Sequence, residues 1–351
     1  MSLVLATYGM VMANPRPVIG QTGVVVIAHG SPSPRWNRAV ADAVEKVQEQ
    51  LAEEPGVGGT RLAYLEAVRP GIADAVSELT ADGCRRIVAV PMFIAASGHV
   101  LYDIPVVLGV LHDPAVAQTL QEEGITLVSP TVPITLTPPL SEGRCLDAYA
   151  VAEAKRLSQD PKREAVLLLL HGDDDFRPKL DRLAQRVIHS VQREVGVSSG
   201  DWCYIGTGHH YGSGAVPKIK QAAAEGRRVL VVALFAATSA RQLHEGWVQK
   251  EAGGNDPFQG PDVAFSDRIL TEHPALIDDL LAFARGAVHW ERGSNHQPDH
   301  PAAADPAEKA ETLTQAETAA LPEITEKARR TAQAEATEKA QVTAEAGRAA
   351  P

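Results

Sequence analysis

With 351 residues, 44% hydrophobic and 22% charged, the chain has the composition of a soluble globular protein with two or three units at the usual ~150 residues each. A formal net charge of -11 disfavours nucleic acid as a partner, because phosphates call for a basic surface. Cys84, Cys145 and Cys203 show no CxxC spacing. That argues against a disulfide framework, a zinc ribbon or a cysteine-held iron–sulfur cluster, and each is expected to be a small buried hydrophobe. The profile is cytosolic.

Residues 1–22 read as a poorly ordered leader. The apolar stretch from Leu3 to Met12 has no preceding basic residue and is interrupted by Tyr8 and Gly9, well short of a membrane span, with Met10 and Met12 as other candidate starts. From Val24 the run VVVIA ends in His29-Gly30-Ser31-Pro32. An uninterrupted aliphatic strand needs cover on both faces, as in parallel sheets sandwiched by helices. A helix follows from Trp36 to about Glu53, with Val40, Val44, Val47 and Leu51 at helical spacing. Next come a strand in RLAYLEA, a helix from Pro70 to Ala81 stopped by Gly83, a buried strand RIVAVPMF over 86–93, and a fourth strand in GITLVSP. The order is β-α-β-α-β, hence an α/β unit with right-handed crossovers.

The pattern then recurs. VVVIAHG at 24–30 is answered by VLLLLHG at 166–172, and Phe93 in VPMFIAASGH by Phe235 in VALFAATSAR, both at the same offset of 142 residues that separates positions 29 and 171. Each of these phenylalanines follows a helix, a glycine turn and a basic pair, Arg85-Arg86 or Arg227-Arg228. Residues 23–158 and 162–288 are therefore expected to be two tandem flavodoxin-like units, each a mainly parallel sheet flanked by helices. After Trp290 the aromatics stop, and 293–351 is a low-complexity Ala, Glu and Thr tail. Too poor in large apolar groups to offset its ordering entropy, it is expected to be disordered, with any protein partner of the tail unknown.

Two histidines of the first unit stand out by position. His29 ends the first strand and His99 closes the loop after the third. With strand order 2-1-3-4, the first and third strands are neighbours whose following helices go to opposite faces, so both imidazoles face one crevice at the carboxyl ends. Two neutral imidazoles suit cobalt, nickel, zinc or iron and leave coordination positions open. Gly30 and Gly98 flank them and permit close backbone approach or unusual dihedrals. Glu66 ends the second strand as a candidate ligand or proton acceptor.

The segments IAHGSPSPRWN, YLEAVRPGIADAV and above all VPMFIAASGHVLYDIP resemble the sirohydrochlorin chelatases of the CbiX/SirB type, strongly over 23–158 and more weakly over 162–288. The resemblance implies a class II chelatase fold and a lyase that inserts a divalent metal, Co2+ or Fe2+ and as a further candidate Ni2+, into a modified tetrapyrrole of cobalamin or siroheme biosynthesis. It carries the metal-binding role onto His29 and His99. The metal is then substrate, and no organic cofactor is expected. A tetrapyrrole sheds two pyrrole protons as the metal enters, which asks for a base such as Glu66. Its carboxylates suit Arg35, Arg38 and Arg69, with Ser31 beside the motif.

The second copy keeps His171 but has Arg241 where the first has His99, Gly208 for Glu66, and His244 for Tyr102. His171, His209, His210 and His244 are the candidates for a second site, although the loss of the matched histidine points to a structural half or a wall of the substrate cleft. His289, His296 and His300 are too sparse for a metal-binding tract. A non-catalytic metal or tetrapyrrole carrier is the competing reading. An unrelated hydrolase or transferase is disfavoured by the absence of a GxSxG elbow, a P-loop and a Rossmann glycine fingerprint.

Overall fold

The computed structural model describes residues 21–206 and 208–293. The expected leader up to residue 20 and the tail from residue 294 lie outside them. β1 (Thr22–Ala28) is buried along its whole length, as its run of aliphatic residues requires. It pairs in parallel with β2 (Val57–Tyr64) on one side and β3 (Arg86–Pro91) on the other, and β3 pairs in parallel with β4 (Ile134–Leu136). The second half repeats the arrangement with β5 (Glu164–His171), β6 (Ser199–Ile205), β7 (Arg228–Leu234) and β8 (Val263–Phe265). The two sheets have orders β2-β1-β3-β4 and β6-β5-β7-β8.

α1 (Pro34–Ala52) begins where Ser33 accepts a hydrogen bond from the Trp36 backbone N–H and Pro34 takes the first helical position. It buries Val40, Ala43, Val44, Val47 and Leu51. α2 (Ile72–Ala81) starts at Gly71, whose N–H donates to Asp74 Oδ2 at 2.9 Å. The helix ends at Ala81, two residues before Gly83, which has φ 91°, as the sequence indicates.

The fourth strand departs from expectation. GITLVSP at 124–130 pairs with no strand, and the edge strand is Ile134–Leu136. The apolar residues of that segment serve packing rather than a ladder. Leu127 and Val128 lie against the core on the α2 face, and the Val128 N–H donates to Val107 O at 2.8 Å.

Strand periodicity sorts the core into layers. Val24, Val26 and Ala28 join Val166, Leu168 and Leu170 in one cluster between the two sheets. Val25 and Ile27 face α2 and α4 (Pro114–Glu122), while Leu167 and Leu169 face α7 (Tyr211–Ala224). Leu168 and Leu169, on opposite faces, are both 0% exposed, and each such burial stabilises by ~1.5–3 kcal/mol. Cys84, Cys145 and Cys203 are free and buried, and burial pushes the Cys203 thiol up to about 12. Among the described residues no helix is long and apolar enough to cross a membrane.

The helices that close each half pack on the other one. α5 (Cys145–Leu157) lies against β7 and α6 (Arg177–Val195), whereas α9 (Pro274–Gly293) lies against β3 and α1. The exchange is bonded as well as packed. Arg86 Nη2 donates to Ala287 O at 2.7 Å, and Arg285 and His289 both reach Glu54, at 2.7 and 2.9 Å. No side chain within α5 caps its start. Instead Asp279 of α9 accepts the backbone N–H groups of Arg144 and Cys145, each at 2.7 Å. Gly143 makes room, since a Cβ there would lie 2.1 Å from Asp279 Oδ2.

Candidate functional site

β1 hands His29 to the carboxyl edge of the first sheet, and the β1–β2 pairing continues past both formal strand ends. Leu65 N–H donates to Ala28 O at 2.8 Å and Glu66 N–H to His29 O at 3.0 Å. This sets Glu66 beside His29, with Oε1 3.7 Å from Nδ1. Gly30 has φ 91°, and a Cβ there would fall 2.0 Å from the Glu66 carbonyl oxygen, so the close approach is open only to glycine. Ala67, next to Glu66, has φ 66°, a left-handed conformation that costs a side-chain-bearing residue about 1–2 kcal/mol. Local strain beside a candidate catalytic group is a common feature of functional sites.

His99 arrives from β3 by a different device. Residues His99–Asp103 form one π-helical turn, closed by the Ile104 N–H on His99 O, and run into a short α3 (Ile104–Val107). The His29 and His99 ring centroids stand 4.9 Å apart at 76°. Phe93 backs both rings at 6.2 and 6.1 Å. Two imidazoles sharing one divalent ion at ~2.1 Å per nitrogen have centroids roughly 5 Å apart, a separation that this pair matches. Both side chains keep contact with solvent, His29 at 40% and His99 at 35% exposure, which leaves an incoming ion a route. Among the described residues no set of three His, Cys, Asp or Glu side chains closes on a common point. Glu66 therefore stands at the side of a two-imidazole site.

His29 Nδ1 lies 2.9 Å from Gly30 O, and His99 Nδ1 lies 2.6 Å from Asp103 Oδ2. Asp103 was open to detection in the sequence as the D of H-x-x-x-D, one helical turn from His99, and Phe93 as the residue matched to Phe235.

The other expected residues divide. Arg35 and Arg38 are exposed on the first turns of α1, and neither forms an ion pair among the described residues. Arg69 Nη1 reaches Asp74 Oδ2 at 2.7 Å and is partly committed to the start of α2. Ser31 shapes the turn into α1, its hydroxyl accepting the Ser33 N–H and its carbonyl the Asn37 side-chain amide. Gly98 has ordinary right-handed dihedrals, φ -50° and ψ -47°, so of the two flanking glycines only Gly30 has the unusual backbone expected. Space for a Cβ at Gly98 is open, with nothing within 4 Å.

In the second half His171 ends β5 as His29 ends β1, with its ring 6.1 Å from Phe235. Burial holds its pKa below the ordinary value, and the imidazoles of His29, His99 and His209 act in the same direction. Burial raises the Asp173 carboxyl, against a smaller lowering by His99. His171 and Asp173 thus lie within electrostatic reach of the first-half pair. His209 Nε2 faces Asp174 Oδ1 at 3.2 Å without hydrogen-bond alignment, and His210 is exposed at the start of α7. His244 does not join them. It is 3% exposed, stacked on Phe265 at 4.2 Å, with Nδ1 3.3 Å from the Tyr211 hydroxyl and Nε2 3.0 Å from Asp256. These contacts occupy both nitrogens of a core residue.

Comparisons with known proteins bear on the lineage and the fold. The CbiX family model matches residues 23–154. The sirohydrochlorin cobaltochelatase of Methanothermobacter thermautotrophicus is 33% identical over 97 residues, 28% of this chain and 62% of that protein. That of Saccharolobus solfataricus is 31% identical over 118 residues, 34% of this chain and 81% of that protein. SirB from Bacillus subtilis, solved with Fe3+, superposes with a TM-score of 0.58 at 18% identity over 78% of this chain and 98% of its own, a share that takes in both sheets. A multi-domain protein of Deinococcus radiodurans with structural similarity to chelatases gives 0.51 at 18% identity over 76% and 55%. The structural likenesses establish the fold, and the sequence relatives, one of them matched over most of its length, establish the lineage: this chain belongs to the CbiX family.

Proposed function

We propose that this protein is a metallochelatase that inserts a divalent metal, Co2+ or Fe2+, into a sirohydrochlorin-type tetrapyrrole in the cytoplasm, on the way to cobalamin or siroheme. The observation that carries the reading is the His29–His99 pair, 4.9 Å apart at the carboxyl edge of the half that the family model covers. The metal is substrate. His29 and His99 hold it with coordination positions open for pyrrole nitrogens. As M2+ enters, the macrocycle releases two protons. Glu66, 3.7 Å from His29, stands where a carboxylate can take one of them. Arg35 and Arg38 meet the substrate's carboxylates from the start of α1, with Arg69 as a further contact. Residues 23–158 carry the chemistry, and 162–288 form the opposite wall of the cleft.

The test follows the visible absorbance of anaerobic sirohydrochlorin mixed with the protein and Co2+ or Fe2+. Turnover well above the protein-free rate is expected. Tight binding of metal and macrocycle without acceleration would support a carrier instead.

A further inference from the structure

We infer that Asp103 is a positioning residue for metal capture: its carboxylate holds the His99 ring through Nδ1, so that Nε2 is the nitrogen presented to the ion. The inference rests on the proposed metal site and assigns it a residue beyond the two histidines. An imidazole can ligate through either nitrogen, and the partner of one decides the role of the other. At His99 that partner is a carboxylate at 2.6 Å. A neutral ring bonded in this way gives its N–H to Asp103 and its lone pair to the metal, and the carboxylate raises its basicity as a ligand.

The base on which Asp103 stands is rigid. It is followed by Ile104, which is 0% exposed, and by the buried Pro105, and it closes the π-helical turn that begins at His99. Isolated π-turns are uncommon and recur at functional sites. His29 edge-on at 4.9 Å and Phe93 at 6.1 Å limit the remaining swing of the ring. The second half supplies the control. The matched positions are Arg241 and Glu245, exposed on α8 (Ala240–Lys250), a regular α-helix. Where there is no imidazole to hold, there is neither a π-turn nor an aspartate.

The experiment measures Co2+ affinity of the full chain by anaerobic titration, read from the visible ligand-field bands and from calorimetry, for Asp103→Ala, Asp103→Asn and His99→Ala, with circular dichroism for folding. Asp103→Ala is expected to weaken Co2+ binding ~10–100-fold and to alter the ligand-field bands. It should raise the metal KM more than it lowers kcat. Asp103→Asn should recover most of the affinity, because its Oδ1 accepts the same Nδ1–H. Asp103→Ala within two-fold of wild type, or Asp103→Asn as weak as Asp103→Ala, overturns the assignment. His99→Ala with unchanged Co2+ affinity would remove the metal site itself, a different outcome from loss in His99→Ala alone, which would spare the site and reject Asp103.

Discussion

The two halves share a scaffold and differ at two loops. In each, a buried, mostly apolar central strand delivers a histidine to the carboxyl edge, and a phenylalanine that follows the third strand packs beside it, at 6.2 Å for His29 and 6.1 Å for His171. After the second strand, however, the first half places Glu66 beside its histidine, whereas the second turns tightly through Gly206, Gly208 and His209. After the third strand, the first half winds a π-turn carrying His99 and Asp103, and the second a regular helix carrying Arg241 and Glu245. Duplication kept what the core needs. The proposed chemistry resides in loops that the core does not constrain.

The strongest way to break this contrast is at the matched pair of positions 99 and 241. His99→Ala should abolish metal insertion, because one remaining imidazole cannot fix the ion's geometry. Arg241→Ala should leave turnover within a few-fold. Chelation rates at saturating metal decide it, with circular dichroism as folding control. Full activity in His99→Ala, or loss confined to Arg241→Ala, would reverse the roles of the halves.

A second pair tests the strand ends. Gly30 and Gly172 occupy equivalent positions. A Cβ at Gly30 meets backbone, the Glu66 carbonyl oxygen at 2.0 Å, at φ 91°; at Gly172 it meets the His209 side chain at 2.2 Å. A side chain can swing aside, and a backbone carbonyl cannot without moving the strand end. Gly30→Ala should therefore cost about 2–4 kcal/mol and most of the activity, and Gly172→Ala about 1 kcal/mol. Equal losses in urea denaturation would show that the second loop is as tightly set as the first.

The exchange of terminal helices offers a smaller effect. Asp279 of α9 accepts both N–H groups at the start of α5, so Asp279→Ala should destabilise by about 1–2 kcal/mol, the usual cost of losing a helix cap, and lower Tm without changing the metal affinity of the first half. An unchanged Tm would mean that water caps α5 equally well.

Much of this was legible in the sequence. Runs such as VVVIA and VLLLLHG read as strands covered on both faces, which located β1 and β5, and the order 2-1-3-4 came with the doubly wound topology. β4 was not legible, because its three residues lie between Pro133 and Pro138 while the more apolar GITLVSP packs as coil. The helix exchange was hidden for a related reason: amphipathic spacing in α5 and α9 shows that a face is buried, not which sheet buries it. At the candidate site, their places at and after strand ends singled out His29, Glu66 and His99, which the fold brings to one edge. The π-turn left no composition signal, and Asp103 went unassigned although its spacing was visible. His244 stood as a candidate ligand because nothing in the sequence brings Tyr211, Asp256 and Phe265 around it. Only the fold assembles that core box.

The finest distinction between the halves is how His171 responds to pH. Burial is the first cause of its lowered pKa, so the folded protein binds this proton less readily than the unfolded chain, whose imidazole titrates near 6.5. Between the depressed folded value and ~6.5 the unfolded state holds more protons, and stability rises with pH. The contribution is therefore fully present above ~6.5, falls as the pH drops through that value, and levels off below the folded pKa. His171→Asn, which keeps a polar group but cannot titrate there, should flatten the acid side of a Tm profile taken from pH 8 to 5. Because His171 keeps one face open to solvent, the change should be modest, and His273, also lowered chiefly by burial, leaves a residual slope. A profile of unchanged steepness in His171→Asn would show that solvent, not burial, governs its imidazole.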